Sequence, residues 1–307
     1  MSTNNKENEK NEYSLGETID LLSDIEWTFL IDLYKCRFMK REAIMEYYFE
    51  ESPENFYKNF DALPENEKDE YRLRNEARII KRMNRMRTRL KQRGLIEYSS
   101  LVPESGQQGR SIKGGWVYLT NKGLRVVERR LEIPDAVKLS KLEIDMQRAK
   151  KDHFWELANI YLTVKYKIIK EADSDSKQFH DWDWHPSEAI TSDSEDYLVR
   201  PDAILRYSEQ LFFVELDRST EPIYRSPIYS EQVSIRSKLE KYQQVFRYSS
   251  NDIIRNGYIA FIVPTAIHKT RLENIRKAAA VVFPNQTKVL VGKNMQDIMI
   301  AYSGLLK

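Results

Sequence analysis

Residues 197–220 read YLVRPDAILRYSEQLFFVELDRST, two strand-forming runs that meet at the polar pair Ser208-Glu209. Aromatic and β-branched residues favour strands, and so short a connection leaves little freedom of register. A hairpin centred on Ser208-Glu209 sets Asp202 opposite Glu215 and Arg200 opposite Asp217. Glu215 and Asp217 are two apart and so share a face. Cross-strand neighbours have Cβ atoms about 4.5–5.5 Å apart, which brings three carboxylates together. Their repulsion has two remedies. A hard divalent cation such as Mg²⁺ or Mn²⁺ takes oxygen ligands of this kind. Alternatively, Arg200 neutralises Asp217 and the other acids stay in water. Ile204, Phe212, Phe213, Val214 and Leu216 point to a central strand, where uncompensated carboxylates are costly, and this tilts toward the cation.

The flanking sequence predicts a mixed α/β domain with a small central sheet. Phe154, Leu157, Tyr161, Val164 and Ile168 mark a helix over about 150–170. Strands are expected at about 179–190, 197–207, 210–217, 257–263 and 288–291, and helices at about 230–248 and 268–280. His153 and Glu156 open the first of these helices, where Glu156 is placed to add a ligand or to be an ordinary surface acid. His180 and His185 read as structural.

The N-terminal half carries a reversal of charge. Residues 50–70 have a net charge of −6 and read as a solvated acidic loop, or as a segment that folds back on the basic stretch after it. Residues 71–93 then hold ten basic residues against Glu76 alone. At 100° per residue, Leu73, Ala77, Ile80, Met83, Met86 and Leu90 take one side of a helix, with Arg78, Arg82, Arg85 and Arg89 roughly opposite. An arginine stripe of this kind suits phosphate or guanine edges, or is simply a solvated face. Helices over about 18–37 and 40–49 precede it. After it come strands at 95–98 and 116–119 around a polar tip carrying Arg110 and Lys113, and then a helix capped by Thr120. Helix, helix, basic helix, hairpin, helix is the order of a winged helix-turn-helix.

The fold class expected is therefore α+β: a disordered tail over 1–14, a winged helix-turn-helix DNA-binding domain over 15–132, a helical connector over 133–150 and an α/β domain over 151–307. Composition excludes several functions. A lone Cys36 makes neither an internal disulfide framework nor a zinc finger, which suits a reducing, cytoplasmic compartment. No run approaches the roughly 18–20 apolar residues of a membrane span. The glycines at 106, 109, 114 and 115 fall in the expected hairpin tip and make no phosphate loop.

Pro201-Asp202 followed by Glu215-Leu216-Asp217, between two helices, resembles the PD-(D/E)XK nuclease superfamily. The wider pattern adds His153, Trp184-His185-Pro186-Ser187-Glu188, Arg218-Ser219-Thr220-Glu221 and Lys238-Leu239-Glu240-Lys241-Tyr242. With the winged helix ahead of it, this is similar to the replication-relaxation family of plasmids and mobile elements over roughly residues 18–265. The resemblance implies a DNA-binding replication protein with a nuclease-like core. Asp202 and Glu215 would hold Mg²⁺ or Mn²⁺, and a lysine two residues after Glu215 would position water. Asp217 stands there instead and would join the ligands, so the lysine would come from the next helix, as Lys238 rather than Lys241. Two functions are compatible with this: a metal-dependent nickase or endonuclease, or a non-catalytic initiator or regulator whose α/β domain serves dimerisation or binds replication proteins. A toxin or defence nuclease is a third, weaker class.

Overall fold

Ser23 breaks the single helix expected over 18–37. Glu26 Oε2 accepts the Ser23 backbone N–H at 3.1 Å and its hydroxyl at 3.0 Å, a capping box that starts a new helix. The computed structural model describes residues 15–49, 58, 60–99, 115–132, 149–168, 179–183, 190–207, 209–219, 221–224, 233–264, 269–284 and 287–305. The expected tail, the hairpin tip with Arg110 and Lys113, most of the connector and residues 184–188 lie outside them. The chain divides into two compact units, Met1–Ala149 and Lys150–Lys307.

The first unit contains α1 (Leu15–Asp20), α2 (Asp24–Cys36), β1 (Met39–Lys40), α3 (Arg41–Tyr48), α4 (Glu65–Gln92), β2 (Ile96–Ser99), β3 (Trp116–Leu119) and α5 (Asn121–Arg130). Residues 65–70 of the expected acidic loop are in fact the first turns of α4, behind Pro64, where Glu65 and Glu67 complement the helix dipole. Gly94, at a φ of 70°, ends the helix, and the chain turns into β2. The antiparallel sheet has the order β1-β3-β2, with Ile96 opposite Leu119 and Met39 opposite Val117. Phe29, Leu33, Ile44, Met83, Leu90 and Val117 are among the fully buried side chains of the first unit.

The inward face of α4 differs from the one expected. Asn75, Ile79, Met83, Met86 and Leu90 are buried, whereas Leu73 is 66% exposed and Ala77 is exposed too. Met83, Met86 and Leu90 belong to both candidate faces. The adjacent pair Ile79-Ile80 leaves the choice open in sequence, and the fold takes Ile79. The helix is thereby rotated so that the arginine stripe borders the core instead of opposing it.

The second unit contains α6 (Lys151–Thr163), running into a π-helical turn (Val164–Ile168), β4 (Phe179–Asp183), β5 (Ile190–Thr191), β6 (Leu198–Val199), β7 (Ala203–Tyr207), β8 (Gln210–Leu216), α7 (Ile235–Tyr248), α8 (Asp252–Arg255), β9 (Tyr258–Ile262), α9 (Lys269–Val282), β10 (Val289–Gly292) and α10 (Met295–Leu305). The main sheet runs β10-β9-β8-β7-β4. Its β4-β7-β8 part is antiparallel, and β8-β9-β10 is parallel. The expected strand over 197–207 is split, because Pro201 has no N–H for a ladder and β6 pairs with β5 in a separate two-stranded sheet. Of the strand expected over 179–190, the described residues place Phe179–Asp183 in β4 and Ile190 at the start of β5, and α10 is an addition. Central β8 is buried along almost its whole length. Phe213 packs with Tyr242 and Phe246 of α7, while Phe212 meets Tyr302 of α10 edge-on. Helices thus cover both faces of the sheet.

Candidate functional site

The β7–β8 hairpin has the register read from the sequence: Ala203 lies opposite Val214, and Tyr207 opposite Gln210. One step beyond Ala203, Asp202 donates its backbone N–H to the Val214 carbonyl at 3.0 Å. Its side chain turns back, so that Oδ2 accepts the Leu216 N–H at 2.8 Å. Oδ1 lies 3.4 Å from His153 Nε2 of α6.

Glu215 alternates with Leu216 along β8 and points at α7. It is 2% exposed. Oε2 accepts from Lys238 Nζ at 2.9 Å, and Oε1 accepts from the Tyr242 hydroxyl at 2.7 Å. Lys238 also reaches Glu221 at 3.3 Å. Ser234 caps α7, its hydroxyl accepting the Ser237 N–H at 3.1 Å, and this fixes the turn that presents Lys238. Leu239, Tyr242 and Phe246 are buried on the helix's inner face, with Lys238 beside them. Lys241 is exposed.

Asp217 is not gathered with these two acids. Arg271 of α9 grips it with two bonds, Nε to Oδ2 at 2.7 Å and an Nη to Oδ1 at 3.0 Å, and the Ser219 N–H adds a third at 2.7 Å. A planar guanidinium matched to a carboxylate is a strong pairing. Arg200, the neutralising partner expected from the register, is exposed, and Arg271 fills that role. Glu156 pairs with Arg218 at 3.3 Å. Among the described residues no three or more His, Cys, Asp or Glu side chains gather as a metal-holding group.

The charges are unevenly compensated. Burial pushes the Glu215 carboxyl up; Lys238 opposes this and the Asp202 charge adds to it, leaving Glu215 at about 7. Burial also acts upward on Asp202, but the His153 contact and Lys238 outweigh it and hold its carboxyl below the ordinary value. For Lys238 burial acts downward, and Glu215 and Glu221 overcome it, so the ammonium stays charged far above neutrality. Tyr242, buried against Glu215, is raised well above its ordinary value and stays a hydrogen-bond donor.

In the first unit the stripe residues have separate fates. Arg78 bonds Asn75 Oδ1 at 2.6 Å, and Arg82 lies over the Phe49 ring at 5.7 Å. Arg85 is exposed. Arg89 donates to the buried Glu26 at 3.0 Å, and Arg93 approaches the same carboxylate at 3.7 Å. Helical spacing places Tyr242 in the core without revealing its bond to Glu215. Arg271 escapes sequence reasoning entirely, since a partner 54 residues from Asp217 leaves no local signal.

No curated protein and no solved structure matches the chain. Residues 71–260, more than half of its length, match the family described as replication-relaxation. By that match the chain belongs to the replication-relaxation family, and a role in replication comes with it.

Proposed function

We propose that this is a DNA-binding replication protein whose first unit is a winged helix-turn-helix and whose second unit is a PD-(D/E)XK-type nuclease domain acting on phosphodiester bonds with Mg²⁺ or Mn²⁺. The observation that carries it is Lys238 Nζ at 2.9 Å from Glu215, because α7 supplies the lysine that position 217 lacks. The donor set fits a hard cation. Asp202 and Glu215 are oxygen donors on register-paired positions, and burial first, with the Asp202 charge adding to it, raises Glu215. Mg²⁺ sites commonly use one or two carboxylates, with water and phosphate completing the shell. A bound cation would supply charge neutralisation at the scissile phosphate and a more acidic water. Lys238, permanently charged, orients water and steadies negative charge instead of accepting a proton. Tyr242 fixes the plane of Glu215.

A second reading has its own observation: both Glu215 oxygens already have protein donors, and Asp217 is saturated by Arg271 and Ser219. On that reading the domain is a non-catalytic scaffold for a homodimer or a replication partner. Calorimetric titration with Mn²⁺, followed by nicking of supercoiled DNA, separates the two. The nuclease reading expects Mn²⁺ binding and nicking by the wild type, both lost in Asp202→Asn with DNA affinity kept. A wild type that takes up no Mn²⁺ leaves the scaffold.

A further inference from the structure

From Ala77 through Ile96 the basic helix and its exit turn contain no acid, so whatever compensates these cations must come from elsewhere. Most of the cations in this stretch are committed. Arg87 is buried with its guanidinium 4.5 Å from the Tyr98 ring, Arg89 and Arg93 hold Glu26, and Lys91 pairs with Glu97 at 2.6 Å. Arg78 and Arg82 are engaged at the border of the core. Lys81 and Arg85 are the two for which the described residues offer no such partner, and both are exposed.

They do not stand alone. Opposite the buried row of Ile79, Met83, Met86 and Leu90, the outermost row of α4 carries Ala77, Lys81, Asn84, Arg85 and Thr88, all exposed, and a shallow open concavity runs along it. The side-chain chemistry names the occupant. Arginine and lysine donate to guanine O6 and N7, asparagine pairs two-fold with adenine N6 and N7, and a threonine methyl meets the thymine methyl. Lys81 to Thr88 spans about 10 Å at 1.5 Å per residue, roughly three base-pair steps of duplex DNA. Small Ala77 lets the helix approach closely.

Resting on the DNA-binding reading above, we infer that Lys81, Asn84, Arg85 and Thr88 form a base-reading row for the major groove, with Arg78, Arg82 and Arg89 serving the fold. The test selects preferred duplexes from a randomised library with the full-length protein. Affinity for the selected and a scrambled duplex is then measured for the wild type, Asn84→Ala, Arg85→Ala and Arg89→Ala, with folding checked by circular dichroism. Asn84→Ala, which changes no charge, should reduce the preference for the selected over the scrambled duplex roughly ten- to hundredfold. Arg85→Ala should lower both. Arg89→Ala should lower the melting temperature and keep the preference. A wild type that binds duplex DNA but enriches no sequence, or a folded Asn84→Ala with full preference, overturns the reading row alone. A wild type with no DNA affinity overturns the DNA-binding reading itself.

Discussion

At the scale of single residues, Glu215 stores an electrostatic cost. Its carboxyl sits at about 7 in the folded chain against an ordinary value of 4.5, so the folded state holds the proton more tightly than the unfolded one. Below about 4.5 both states are protonated and the group is neutral in effect. As pH rises toward 7 the unfolded chain ionises first and gains, so stability falls across that window and levels off above it. The full cost is on the order of 3 kcal/mol at 1.36 kcal/mol per pH unit. The melting temperature of the wild type should therefore drop between about pH 4.5 and 7, and Glu215→Gln should flatten that slope. An unchanged slope in the variant would remove Glu215 as its source. Asp202, held low, acts in the opposite sense: its contribution is present above its ordinary range and is lost as pH falls through it.

At the scale of elements, the join between α4, β2 and α5 is tight. Thr120 Oγ1 accepts the Gly123 N–H at 3.0 Å and donates to the Gly94 carbonyl at 2.5 Å, tying the start of α5 to the end of α4. A Cβ on Gly123 would stand 2.1 Å from the Leu95 carbonyl oxygen, a backbone atom that cannot swing aside. Gly123→Ala should cost about 2–3 kcal/mol by overpacking, more than the roughly 1 kcal/mol lost with the cap in Thr120→Ala. Urea unfolding measures both, and equal midpoints would refute the clash. These elements also show what sequence carries. The register that pairs position 202 with 215 is legible, because so short a connection between the strands leaves one solution. The acid-to-basic switch locates α4, but the helical spacing misjudges its inward face, since Ile79 and Ile80 are equivalent until the fold buries one of them. Spacing puts Asp217 in the wrong company because its partner, Arg271, lies on a helix that no spacing rule connects to β8.

At the scale of the whole molecule, each unit has a core of its own, with Phe29, Met83 and Val117 in the first and Phe213, Tyr242 and Ile259 in the second. Fragments ending at Ala149 and beginning at Lys150 should each unfold cooperatively when expressed alone, because a domain with its own core can fold by itself. A fragment lacking a cooperative transition by calorimetry would show that its core needs the other unit. The connectivity of the main sheet has a further consequence for the order in which the second unit assembles. A hairpin such as β7–β8 closes over a few residues and forms in about 1–10 μs. The parallel β8–β9 contact instead waits for a loop of roughly 40 residues to close, and Lys238 arrives within that loop. Asp202 and Glu215 are therefore brought face to face before their ammonium counter-charge is in place. The nascent hairpin would carry its own repulsion until α7 brings Lys238 to Glu215.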